Sequence, residues 1–200
     1  MKLVKSALLV TIGLWVLLGL AFPLVMTGVS GVLFPYQAKG SPVRLNGRVV
    51  GAAHVGQNFA GARDYFWGRP SATVSPTTGK PDPYDALNSG ASNLAPTNRL
   101  LLAHIEARIH QLLATTPGLG VHQIPVSLVE SSGSGLDPDI TVSSALIQIP
   151  RVARATGLSS AFLRTLVGLA TVDPQWGLFG HRHVNVLRLN VLVYRALHGN

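Results

Sequence analysis

The residues best placed to do chemistry lie in one loop. Glu130-Ser131-Ser132-Gly133-Ser134-Gly135-Leu136-Asp137-Pro138-Asp139 strings hydroxyls and glycines between an apolar run, Ile124 to Val129, and the start of a helical pattern. Such a loop can aim successive backbone N–H groups at an anion, with the serine hydroxyls as added donors. It lacks G-x-x-x-x-G-K-[ST] and contains no lysine, so it is no P-loop. Asp137, one residue ahead of Pro138, also suits a tight turn that launches the next helix, and its position favours that structural role over a ligand contact.

Other constellations are thinner. Gly133-Ser134-Gly135 has the wrong spacing for the nucleophile elbow G-x-S-x-G. Asp137 and Asp139 sit together at a helix start, where acidic side chains simply favour the positive end of the helix. His181-Arg182-His183 offers two imidazoles with no HExxH and no carboxylate cluster nearby, and reads as exposed loop. His104 and His110, six apart, fall on different helix faces. Asn88-Ser89-Gly90-Ala91-Ser92-Asn93-Leu94 is better read as Asx turns satisfying their own backbone than as a ligand loop. Arg69, after Trp67-Gly68, has the fork for a bidentate carboxylate pair, in the fold or on a partner. The chain has no cysteine, which excludes disulfides, thiolate metal sites and cysteine nucleophiles. No metal site and no complete catalytic set can be drawn, so a non-enzymatic role is expected.

What must position these residues begins with an anchor. Ser6 to Ala38 carries no Asp, Glu, Lys or Arg. Its apolar part, Ala7 to Val29, makes roughly 35 Å of helix, enough to cross a hydrocarbon core of about 30 Å. Lys2 and Lys5 stand just before it and the next charge is Lys39, which places the N-terminus in the cytoplasm and the C-terminal part outside. The run is longer than the apolar core of a cleaved signal peptide and has no small-x-small site before Ser30. Pro23 removes the donor for the Gly19 carbonyl and should kink the helix. The expected layout is a cytoplasmic N-terminus at 1–6, a transmembrane helix at 7–29, a juxtamembrane linker at 30–42 and one soluble α+β domain at 43–200.

Within that domain, Asn46-Gly47 between Val43–Leu45 and Arg48–Val50 predicts a hairpin with a type I′ turn. From Gly56 to Asn98 the chain is rich in Gly, Pro, Ser, Thr and Asn, yet Phe59, Tyr65, Phe66 and Trp67 argue for a packed irregular segment. A helix is predicted from Asn98 to Thr115, capped by Thr97, with Leu101, Ile105, Ile109 and Leu112 on its apolar side. Gln123 to Val129 reads as a strand with Pro125 at its edge or start. A second helix from Thr141 to Gly157 should be bent or split by Pro150, and Ser159 caps a third through Ala170. Val184 to Leu197 alternates like a strand at Leu187, Leu189, Val191 and Val193. Asn185 can instead cap a helix with Leu187, Val191 and Tyr194 on one face, and that is preferred.

The formal charge is +8, from 16 basic and 8 acidic residues, and aromatics make up 6%. The basic residues are scattered arginines without the interleaved rings of a single-strand binder, so nucleic-acid binding is not expected.

Several motifs, taken together and in order, resemble the KdpC family, the C subunit of the bacterial potassium-transporting P-type ATPase (Kdp) complex. They are Gly56-Gln57-Asn58-Phe59, Tyr65-Phe66-Trp67-Gly68-Arg69-Pro70-Ser71-Ala72, Tyr84 to Leu94, Ser132 to Pro138, Gln148 with Arg151-Val152-Ala153, and Val184 to Asn190, behind the N-terminal anchor. The resemblance implies a non-catalytic accessory subunit of the bacterial inner (plasma) membrane. Its partners would be a potassium-channel-like subunit, a P-type ATPase subunit and a small single-span subunit. It also implies a catalytic chaperone that raises the pump subunit's affinity for ATP, with ATP shared between the two. Ser132, Ser134, Asp137 and Gln148 are then the candidate nucleotide contacts. The alternative it leaves open is a membrane-anchored module that binds ATP directly. Glu130 and Asp139 depart from the family's pattern and add negative charge beside the loop. The lysine flank places the domain outside, away from cytoplasmic ATP, so any effect on ATP is expected to pass through the span.

Overall fold

The computed structural model describes residues 1–199, which divide into two compact units at Pro42 and Val43. The first unit is dominated by a helix of 32 residues, Lys2–Leu33, long and apolar enough to cross a membrane. It consists of α1 (Lys2–Val16), a π turn (Leu17–Ala21) and α2 (Phe22–Leu33). Pro23 therefore makes itself felt as a widened turn just before it, where its ring would crowd the preceding carbonyl. A short helix, α3 (Pro35–Ala38), follows.

The second unit is α+β. It opens with the predicted hairpin, β1 (Pro42–Leu45) and β2 (Arg48–Ala52), whose turn residues Asn46 and Gly47 have φ of 50° and 78°. Two positive φ values are what a type I′ turn requires. From Val55 to Asn98 no helix or strand forms apart from an isolated bridge between Val74 and Pro81, yet Phe66 and Trp67 are buried in the core. The segment is packed and irregular, as its aromatics indicate.

α4 (Arg99–Thr115) is capped by Asn98 and not by Thr97. Asn98 is the last extended residue, which aims its side-chain oxygen at the Leu100 N–H, 2.8 Å away. The strand expected over Gln123 to Val129 is absent. Two 3₁₀ turns take its place, Val121–Gln123 and Val126–Leu128. Pro125 caps the second of them and has no N–H for a ladder.

β3 (Asp139–Thr141) leads into α5 (Val142–Leu146) and α6 (Ile149–Thr156), the split falling just before Pro150 as predicted. α7 (Ser160–Ala170) is capped by Ser159, and β4 (Thr171–Val172) follows it directly. The preferred reading of the tail holds: Asn185 caps α8 (Val186–His198), which contains Leu187, Leu189, Val191 and Val193, so their alternation does not make a strand, and only β5 (His183–Asn185) before it is extended. The buried side of α8 is Val186, Leu187, Leu189, Asn190 and Val193; of the predicted face only Leu187 is fully buried, and Val191 and Tyr194 are half-buried at its edge. β3, β4 and β5 form a second, antiparallel sheet of order β3-β5-β4, with Ile140 opposite Val184 and Thr171 opposite Val184 on the other side. Ile140, Ile149, Val152, Leu163, Val167, Val184, Leu189 and Val193 form the core, and Phe66 and Trp67 reach into it from the irregular segment.

Candidate functional site

Phe66 and Trp67 are held by side chains that copy a neighbouring strand. Asn190 accepts the Phe66 N–H at 2.8 Å and donates to the Phe66 carbonyl at 2.9 Å. Gln148 accepts the Trp67 N–H at 2.8 Å and donates to the Trp67 carbonyl at 3.2 Å and to Ser144 at 3.0 Å. Gln148 stands at the N-cap position of α6, with its side chain turned to Trp67 and not to the helix end, and Arg151 lies one turn on, so the two share a helix face. Arg151 donates to the carbonyls of Ala62, Arg63 and Tyr65 at 2.9–3.0 Å and to Gln148 at 2.6 Å, with its guanidinium 4.1 Å from the Trp67 ring centre. Burial pushes the Arg151 guanidinium down to about 10, against the pull of Asp64.

The chain beyond Trp67 meets the Ser/Gly loop. Arg69 pairs with Asp137 at 3.1 Å and reaches the Ser131 carbonyl at 3.4 Å, so its carboxylate partner lies in the fold and is gripped by one nitrogen only. The Ser132 N–H donates to the Pro70 carbonyl at 3.2 Å. The Ser134 carbonyl takes the Gly90 N–H at 2.9 Å and the Ser89 hydroxyl at 3.0 Å, which ties the two polar loops together. Between them, Gly135 sits at φ +68°, so close to Gly90 that a Cβ would come within 2.6 Å of its carbonyl oxygen. Asp137 also accepts the Asp139 N–H at 3.0 Å, a tight turn as expected, but the turn leads into β3 and not into a helix, so neither Asp137 nor Asp139 stands at a helix start. Tyr84 donates its hydroxyl to the Arg69 carbonyl. Burial, with Asp137 adding to it, pushes that phenol up to about 12.

Ser132, Asp137 and Gln148 thus converge on one short run, Trp67 to Pro70, while Ser134 faces Ser89 and Gly90. Ser132 and Gln148 are buried and Ser134 is exposed, so the four do not line a common open surface. A cavity of about 190 Å³ does open beside the run, lined among others by Trp67, Arg69, Tyr84, Arg108 and Leu112. Arg108 donates to the Val129 carbonyl at 2.7 Å and to the Ser131 hydroxyl at 3.4 Å, and burial lowers its pKa. The Arg69 Nε is buried there without a partner.

His183 is not loop but strand β5, with Nε2 3.7 Å from Asp139. Among the described residues no group of three or more His, Cys, Asp or Glu side chains could hold a metal ion. Sequence reasoning passed over Arg151, Asn190, Arg108 and Tyr84 as site residues. The available signal was a polar residue in an apolar helical stripe: Asn190 beside Leu189 and Val193, Arg151 between Ile149 and Val152.

The sequence matches the family described as K+-transporting ATPase, c chain, over residues 4–195. It is similar to the potassium-transporting ATPase KdpC subunit of Rhodopseudomonas palustris (strain TIE-1), 46% identical over 201 residues and 98% of each chain. The same-named protein of Methylobacterium nodulans is 46% identical over 192 residues, 94% of each chain. That of Bradyrhizobium diazoefficiens is 42% identical over 198 residues, 96% of each chain.

Proposed function

The chain belongs to the KdpC family, the c chain of K+-transporting ATPases, and from that premise we propose that it is the non-catalytic accessory subunit of an ATP-driven potassium uptake complex. The Lys2–Leu33 helix anchors it with the N-terminus in the cytoplasm. The domain lies outside, where it braces the channel-like and ATP-hydrolysing subunits and acts on ATP use indirectly, through the span.

The observation that carries this reading is where the motif residues direct their hydrogen bonds. Gln148, Arg151 and Asn190 bind this protein's own backbone, and Asp137 binds Arg69. The irregular segment is thereby fixed as a rigid surface for a partner. Lys2 and Lys5 support the sidedness. Protease added to intact spheroplasts should trim the domain, and full protection would reverse the topology. A C-terminal tag should retrieve two large multispanning proteins, and retrieval of neither would sink the accessory role.

Direct nucleotide contact is the second reading, favoured by two guanidiniums, Arg69 and Arg108, at a cavity beside the Ser/Gly loop. Ser134 is the exposed member of the candidate set, and Gln148 would have to release four hydrogen bonds to join it. Equilibrium dialysis of the full chain in detergent discriminates. ATP retention that falls in Arg108→Ala would support the reading, and no retention at millimolar ATP would reject it.

A further inference from the structure

Backbone accounting in the apolar helix leaves two carbonyls without a donor at its middle. The Phe22 N–H, which in a regular α-helix would go to Leu18, goes to Leu17 across the π turn. Pro23 has no N–H, so Gly19 loses its ordinary donor too. Ala21 is the N-cap of α2, and its carbonyl takes the first bond of that helix, from Val25. The Leu24 N–H is then the one backbone donor left for three carbonyls, Leu18, Gly19 and Leu20. Thr27, the next hydroxyl along, already donates to Pro23 at 2.7 Å.

Hydrocarbon supplies no donor for the two that remain, and an unsatisfied backbone group at the bilayer centre is costly. Water is scarcest there, so the partner must be protein. Gly19 leaves room for one: a Cβ at that position would meet nothing of this chain within 4 Å. A second, parallel copy fits poorly. Its Thr11 and Thr27 lie eight residues away from Gly19, roughly 12 Å along the axis. Its Trp15 lies a turn below and leans toward the N-terminus, away from carbonyls that point to the C-terminus.

We propose that the π turn at Leu17–Ala21 is the docking point for a transmembrane helix of a different subunit, which seats against Gly19 a hydrogen-bond donor: a Ser, Thr, Asn, Gln, Tyr or Lys side chain. This rests on reading Lys2–Leu33 as a span within a multisubunit complex. Such contacts are a known means of joining helices in lipid.

The chain lacks cysteine, so single-cysteine variants can carry a benzophenone probe in membranes that hold the whole complex. A probe at Val16, on the side of Gly19, should crosslink to another subunit at a stretch containing such a donor. A probe at Leu14, on the opposite side, should do so several-fold less. Pro23→Ala restores the missing N–H and Gly19→Leu fills the space. Each should lower recovery of the other subunits in mild detergent at least tenfold while the chain stays in the membrane, and Leu9→Ala should not. Wild-type recovery in both variants would overturn the proposal, as would adducts to lipid only, to a second copy or to an all-apolar stretch. If the wild-type chain retrieves no partner, the subunit reading fails and this proposal falls with it.

Discussion

Gln148 holds the backbone of Trp67 at both its N–H and its carbonyl, its side-chain oxygen 2.8 Å from the Trp67 nitrogen and its side-chain nitrogen 3.2 Å from the Trp67 oxygen. The residues are 81 positions apart. Asn190 does the same to Phe66 across 124 positions. Two side-chain amides thus stand in for a strand, and a run without regular structure can enter the core with its backbone satisfied.

Gln148→Ala removes that partner from two buried backbone groups and from Arg151. An unpaired buried group costs about 1–3 kcal/mol, so the expected loss is about 2–5 kcal/mol. Chemical denaturation of the full chain in detergent measures it. Asn190→Ala should cost a similar amount, and the pair should be non-additive because both hold the same run.

Arg151→Lys should behave as a disruptive change. One guanidinium nitrogen, Nη1, binds all three carbonyls while Nη2 binds Gln148, and a lysine ammonium ends one bond short of Nη1, with no second nitrogen for Gln148 and no planar face for the Trp67 ring. Two carbonyls, those of Arg63 and Tyr65, lose their donor, since Ala62 still receives the Trp67 indole N–H. The expected cost is about 2–4 kcal/mol. Hydrogen exchange over residues 62–68 should accelerate, and unchanged protection there would contradict the assignment.

Gly135→Ala and Gly133→Ala make a matched pair. At Gly135 the φ is +68° and a Cβ would come within 2.4 Å of Thr73 and 2.6 Å of the Gly90 carbonyl, whereas at Gly133 it meets nothing within 4 Å. Gly135→Ala should cost more than about 1 kcal/mol, and Gly133→Ala should stay within about 0.5 kcal/mol of wild type. Thermal melting of the two variants side by side tests this.

Asp139 provides a pH test. Burial holds its carboxyl above the usual range, while His183 and Asn185 pull it back. A carboxyl that binds its proton more tightly in the folded state weakens the fold as pH rises from its unfolded value, about 3.9, through the raised folded one. Asp139→Asn keeps an acceptor for Asn185 without the charge. It should therefore raise the melting temperature at pH 7, and the gain should fade below about pH 4. A lower melting temperature at pH 7 would show that the His183 pairing outweighs burial.

Much of the local structure was legible in the residues. Asn46-Gly47 specified its turn, Pro150 and Ser159 set helix starts, Gly157 set a stop, and the charge-free run to Ala38 specified a long apolar helix. Each depends on neighbours within one turn, where steric limits and local hydrogen bonds decide the outcome. The same locality explains the misses. Asn98 and Thr97 are both competent caps, and Gln123 to Val129 has strand composition, so only the surrounding packing could choose.

What lay beyond the sequence was which distant residues meet. A glutamine, an asparagine and an arginine in amphipathic helices give no sign that their partners are peptide groups 81 to 124 positions away. Nor does Asp137 announce that its counter-ion is Arg69. Sequence spacing fixes the face on which a side chain stands, whereas the buried donor or acceptor it must satisfy is supplied by chain closure, so the site became visible only once the helices had packed.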